Sequence, residues 1–114
     1  MYYIYMVRCA DDSIYTGIAA DLTRRLRQHV EKDYAAAKYT RSRAVTALEA
    51  VWTAPDRSTA SRLESAIKRL TRAKKLDLIA DPEQFSQLLP TLDDADYARR
   101  PAVSLESCLK GETP

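Results

Sequence analysis

The chain is 114 residues long, enough for one domain with a tail, and a domain of this size hides roughly two-thirds of its unfolded surface. Its 46% apolar and 30% charged residues are those of an ordinary soluble protein, and the apolar run at the start reaches only Arg8, too short for a signal peptide or a membrane span. The net charge of +2 is unevenly divided: residues 1–80 hold 15 Lys/Arg against 9 Asp/Glu, a net of +6, and residues 81–114 hold 3 against 7, a net of −4.

Residues 2–9, Tyr-Tyr-Ile-Tyr-Met-Val-Arg-Cys, are aromatic and β-branched enough to predict a strand. Ala10-Asp11-Asp12-Ser13 predicts a turn, and Ile14 to Ala19 the returning strand of a β-hairpin. An odd number of loop residues sets Tyr5 opposite Gly17 and Tyr15 opposite Val7, so that both tyrosines share a face. A two-residue loop sends them to opposite faces. The hairpin's Cys9 has no Cys-x-x-Cys neighbour, and Cys108 is the only other cysteine, so neither a disulfide framework nor a zinc site is expected. A reducing cytoplasm is the expected setting.

Asp21 is a good N-cap for a helix running to about Glu31. Leu22, Leu26 and Val30 repeat at i, i+4, i+8 and define its buried stripe, with Arg25 and His29 bordering it and Arg24 and Arg27 outside. Residues 32–44 read as a basic loop, and Val45 to Thr53 as a third strand. A second helix is expected from Asp56–Ser58 to about Leu70, with Ala60, Leu63, Ile67 and Leu70 inward and Glu64 on their flank. Thr71 to Ala80 predicts a third, basic helix. After Asp81-Pro82 the pattern weakens to a helical fragment at 83–89 and a loose end. The expected division is a domain over 1–80 and an acidic, weakly structured extension over 81–114.

Tyr3-Ile4-Tyr5 and Tyr15-Thr16-Gly17 thus meet Arg25 and His29 through one hairpin and one helix. Two phenols, a guanidinium and an imidazole can deprotonate water and neutralise a phosphate, which points to nucleic-acid chemistry. A basic body agrees, because neutralising phosphates releases counterions; solubility alone accounts for the same charge.

Taken with Glu64, these residues resemble the GIY-YIG nuclease family, in particular its small single-domain members. The matches are Tyr3-Ile4-Tyr5, Tyr15-Thr16-Gly17, Arg25, His29 and Glu64, in order and at matching spacing. Arg8-Cys9-Ala10-Asp11, Lys38-Tyr39-Thr40-Arg41 and the run from Ala66 to Ala73 also look like the small subfamily. The similarity covers residues 1 to about 80. Tyr3 stands for the motif's first glycine, Thr16 for isoleucine and Asp12 for a turn glycine; the asparagine of larger members is not evident.

The resemblance implies an α+β fold, with a three-stranded, mainly antiparallel sheet flanked by helices. It also implies a metal-dependent DNA endonuclease, structure-directed or weakly sequence-specific, with DNA repair or recombination as its setting. Tyr5 would be the general base and Tyr15 its neighbour, since a phenol of pKa about 10 needs help from a partner such as His29. Arg25 would hold the scissile phosphate. Glu64 would be the single protein ligand of one Mg²⁺ or Mn²⁺ ion. Lys38, Tyr39, Arg41, Arg43, Lys68 and Arg72 would contact the nucleic acid, with Tyr34 and Tyr39 able to stack on exposed bases.

Each assignment has a structural competitor. Tyr5 and Tyr15 serve equally as core aromatics, Arg25 as one arginine of a surface cluster, and His29 as a cation at a helix C-terminus. Glu64 fits a capping box with Ser61 or an i, i+4 pair with Lys68. A catalytically silent nucleic-acid-binding module and an interaction module whose tail is its ligand or autoinhibitor are the competing functions.

Overall fold

The computed structural model describes residues 1–31, 44–101 and 103–112. Strands β1 (Tyr2–Cys9) and β2 (Ile14–Ala19) form the expected hairpin, followed by helix α1 (Leu22–Glu31) and strand β3 (Val45–Ala54). Helices α2 (Arg57–Lys68) and α3 (Arg72–Ala80) come next. The remaining described residues form two short 3₁₀ turns, helix α4 (Phe85–Leu88), strand β4 (Ala98–Arg99) and helix α5 (Leu105–Leu109). Pairing is antiparallel throughout, in the order β2-β1-β3-β4.

The sheet therefore has four strands where the sequence reading expected three. The extra one is two residues long and pairs Ala98 with Thr53 and Arg99 with Trp52. A strand that short has no alternation to read, so only its tertiary setting reveals it.

Period-2 alternation divides the sheet's side chains between two cores. Ile4, Met6, Ala50 and Trp52 face one way and pack on Ala60, Leu63 and Ile67 of α2 and Leu78 of α3. Tyr5, Val7, Cys9 and Val51 face the other way and pack on Leu22 and Leu26 of α1 and Cys108 of α5. Between the two, β1 is covered on both sides, which is why it reads as an almost unbroken apolar run. Thr16 faces away from the tyrosines, and its buried hydroxyl has no hydrogen-bond partner among the described residues.

Two expectations need correction. The α1 stripe is Leu22, Leu26 and His29; Val30 is 39% exposed, because its neighbour His29 turns inward at i+7 from Leu22. The segment after residue 81 is not loose where it is described. Phe85 and Leu89 complete the α2/α3 core, and Tyr97 Oη donates to the Thr59 carbonyl at 2.7 Å. The Arg99 guanidinium lies 4.9 Å from the Trp52 ring and donates to the Leu78 and Ile79 carbonyls near the end of α3. Scattered single anchors of this kind leave no periodic trace.

Candidate active site

The hairpin register decides whether the two tyrosine motifs cooperate. Cys9 N–H donates to the Ser13 carbonyl at 2.9 Å, which closes an odd loop over Ala10, Asp11 and Asp12. Tyr5 then pairs with Gly17 and Tyr15 with Val7, so both phenols lie on the α1 face, their ring centroids 6.5 Å apart. Asp12 occupies the turn's left-handed position, at φ 68°, which aspartate tolerates better than most residues. Two guanidiniums bracket it. Arg8 Nη1 lies 2.6 Å from Oδ1, and Arg72 donates to the Asp12 carbonyl at 2.7 Å and to Oδ2 at 2.9 Å. The Arg8 hydrogen bond, above all, holds the Asp12 carboxyl below its usual pKa.

Gly17 is where the strand backbone must stay bare. A Cβ there would sit 2.5 Å from Tyr5 Oη and 2.6 Å from its Cζ, well inside van der Waals contact. The glycine of the second motif thus makes room for the phenol of the first. The sequence shows a glycine in a strand, a known sign of close approach, but not what approaches.

Helix α1 supplies the next two groups. Asp21 caps it by accepting from Arg24 N–H at 3.1 Å, and a 3.6-residue repeat places Arg25 and His29 one turn apart toward the tyrosines. His29 is fully buried, and its Nε2 lies 2.8 Å from Tyr5 Oη. Its ring centroid is 5.9 Å from that of Tyr5 and 5.7 Å from that of Tyr15. Burial, and then the Arg25 charge, push its pKa down to about 4, so His29 is neutral at pH 7. The reading of His29 as a cation on the helix dipole does not survive.

Burial raises the Tyr5 pKa, Tyr15 and Glu64 add to that, and Arg25 opposes it. Tyr15 is half-buried and raised for the same leading reason, with Glu64 again adding and Arg25 opposing. Arg25 and Glu64 therefore stand close enough to both phenols to act on them electrostatically. Arg25 also lines a cleft of about 340 Å³ with Asp21, Arg24 and Gln28, where donors outnumber the one carboxylate. Arg24, which helical spacing alone puts outside, reaches this cleft.

Glu64 comes from α2, on the other side of edge strand β2. Asp56 caps that helix by accepting from Thr59 N–H at 2.8 Å, so Ser61 is interior and the capping-box reading of Glu64 falls away. Its i, i+4 pair with Lys68 is present at 3.4 Å, and Lys68 Nζ also lies 5.8 Å from the Tyr15 ring centroid. Among the described residues no three His, Cys, Asp or Glu side chains gather into a metal cage. One carboxylate, open to water and phosphate oxygens, suits a hard divalent ion held mainly by its other ligands. The donor set fits Mg²⁺ or Mn²⁺ in that limited sense.

Five of the site residues expected from sequence thus converge: Tyr5, Tyr15, Arg25, His29 and Glu64. Of the six expected to touch nucleic acid, Lys38, Tyr39, Arg41 and Arg43 lie outside the described residues. Lys68 flanks the site, whereas Arg72 is engaged with the hairpin turn.

Residues 1–77 match the model of the GIY-YIG catalytic domain. The chain is 44% identical over 84 residues to the UPF0213 protein FN1575 of Fusobacterium nucleatum, spanning 74% of this chain and 82% of that protein. It is 40% identical over 91 residues to the UPF0213 protein YhbQ of Salmonella arizonae, spanning 80% and 89%. It is also similar to the solution NMR structure of the UPF0213 protein BH0048 from Bacillus halodurans, at 36% identity over 78% of this chain and 97% of that one, with a TM-score of 0.46.

Proposed function

Because the chain belongs to the GIY-YIG domain family and, within it, to the small UPF0213 proteins, we propose that it is a divalent-metal-dependent nuclease hydrolysing DNA phosphodiester bonds. The observation that carries this reading is the buried Tyr5–His29 contact at 2.8 Å, with Tyr15, Arg25 and Glu64 gathered around it.

Hydrolysis requires a base for water, charge stabilisation at phosphorus and relief of the leaving oxygen. Arg25 holds the scissile phosphate in the cleft it shares with Arg24 and Gln28. The phosphate's negative charge offsets the Arg25 charge that depresses His29, so substrate binding itself raises the basicity of the imidazole. As water attacks phosphorus, its proton passes to Tyr5 Oη while the Tyr5 proton passes to His29 Nε2. His29 then carries the positive charge. The P–O bond to the leaving group breaks, and that oxygen takes a proton from solvent. Tyr15, the more exposed phenol, lines the approach and orients the water. Glu64 would hold the divalent ion, which supplies Lewis-acid stabilisation of the leaving oxygen.

The test is cleavage of duplex, nicked, flapped and single-stranded DNA with Mg²⁺ or Mn²⁺. Wild type is expected to cut at least one form, and folded Arg25→Ala and Glu64→Gln proteins to lose at least 100-fold in rate. Cleavage of none, or equal cleavage by the variants, overturns the enzyme reading. The Glu64–Lys68 ion pair favours a second reading, a binding module without turnover, because an ammonium already partners the only expected metal ligand. That module would bind DNA in a salt-sensitive way with or without metal, and Glu64→Gln would leave its affinity unchanged. A setting in DNA repair or recombination is part of the proposal, carried by the family alone.

A further inference from the structure

The face of α2 turned away from the sheet carries a second basic feature. Arg57, Arg62 and Arg69 line an open groove of about 850 Å³, more than twice the volume of the Arg25 cleft, together with Ser58, Ser61 and Ser65. Thr91 and Leu92 form its other wall, and no carboxylate lines it. All three arginines are exposed, and among the described residues none has an ion-pair partner. Among the described residues the nearby carboxylates make no direct ion pair with them. Asp93 accepts from Ala95 N–H, Asp94 accepts from the Ser86 hydroxyl, and Asp56 is occupied as the helix cap. Arg62 donates to Thr59 Oγ1 at 3.3 Å, and its charge also acts on Asp56 and Tyr97.

Position separates this groove from the catalytic groups. At about 100° per residue, Arg62 is about 160° round the helix from Glu64 and Arg69 about 140°, while Arg57, about 20° round from Glu64, lies seven residues before it, about 10 Å along the axis, at the groove's near edge. Arg57 and Arg69 are about 18 Å apart along the axis, the length of about five base-pair steps of one strand. A stiff duplex seated against Tyr15 and Arg25 cannot also wrap the opposite side of one helix, because DNA bends smoothly only over tens of base pairs. Exposed guanidiniums interleaved with serine hydroxyls are donors suited to phosphate oxygens.

We infer that the outer face of α2 is a second phosphate-backbone seat, holding another arm of the nucleic acid whose scissile bond lies at the tyrosine site. The inference rests on the nuclease reading and sharpens its substrate class to branched or sharply bent nucleic acid. Arg57, Arg62 and Arg69 neutralise phosphates spaced along about five steps of the second arm, and the serines donate between them.

Fluorescence anisotropy in EDTA, over a range of salt, compares a 12-bp linear duplex with a flapped DNA carrying two such arms. The protein carrying Arg57→Gln, Arg62→Gln and Arg69→Gln is expected to bind the two-armed DNA at least tenfold more weakly, with a salt slope shallower by about 2 to 3, at about 0.9 per phosphate. Its affinity for the short duplex stays within twofold of wild type. The corresponding triple Arg→Lys protein recovers the slope, since the charges remain. If the triple Gln protein unfolds, Arg69→Gln alone carries the same readout with a slope change of about 0.9. Unchanged binding of the two-armed DNA overturns the inference, as does equal weakening on both DNAs, which makes the groove part of a single seat. A wild type that binds neither DNA removes the nucleic-acid reading itself, an outcome distinct from a wild type that binds and a variant that matches it.

Discussion

At the scale of single residues, burial keeps the His29 imidazole neutral beside the charged Arg25. His29 has a pKa near 4 against about 6.5 in an unfolded chain. Between those values the unfolded state binds the extra proton, so the sign of the linkage is definite: stability falls as the pH drops from about 6.5 to about 4. The full difference is on the order of 3 kcal/mol, and denaturant unfolding should show it as a drop in wild type between pH 7 and pH 4.5 that a His29→Gln protein lacks in large part. Parallel pH dependence in the two proteins contradicts the buried neutral imidazole. Gly17 is the complementary case. Gly17→Ala forces a methyl into the Tyr5 phenol, and an overpacking cost of about 1–3 kcal/mol with at least a tenfold loss of cleavage is expected. Full stability and full activity in that variant would mean that Tyr5 moves aside without consequence.

At the scale of elements, helix α1 is held from two directions. Leu22 and Leu26 fix α1 on the sheet, and α5 straps its outer side. Thr23 Oγ1 donates to the Cys108 carbonyl at 3.0 Å, and Arg27 donates to the Leu109 carbonyl through Nε at 3.0 Å and Nη2 at 2.7 Å. Arg27→Ala should therefore lower stability by about 1 kcal/mol and speed proteolytic loss of the last ten residues or so, read by denaturation and limited proteolysis. No change in either measure means that the strap is only resting there. This arrangement also shows what the chain makes legible. The hairpin, α1, β3, α2 and α3 follow from alternation, caps and 3.6-residue stripes, and the Tyr/Tyr/Arg/His/Glu set follows from the resemblance to the GIY-YIG family. Arg99 over Trp52 and Cys108 against α1 are single long-range contacts with no local pattern, so β4 and α5 could not be read in advance. The burial of His29 in place of Val30 was hidden for a related reason, because an imidazole does not register as apolar in a periodicity search.

At the scale of the whole molecule, the sheet separates two cores, and β2 is the edge at which their chemistry meets. Tyr5, Tyr15, Arg25 and His29 belong to one side, while Glu64 reaches the same place from α2 on the other. None of the described helices is long and apolar enough to cross a membrane. Because Phe85, Leu89 and Cys108 complete the two cores, deleting residues 82–114 would report on folding before it reported on any competition with phosphate. The arginine groove on α2 gives the basic charge a place and a direction instead.

The claim on which all of this turns is that the Tyr5–His29 pair takes the proton from the attacking water. Single-turnover cleavage by Tyr5→Phe, at saturating enzyme and Mg²⁺, measures it most directly. The account predicts a rate at least 100-fold below wild type, a smaller loss for Tyr15→Phe, and DNA affinity unchanged in both. A Tyr5→Phe protein that cuts at the wild-type rate would contradict it.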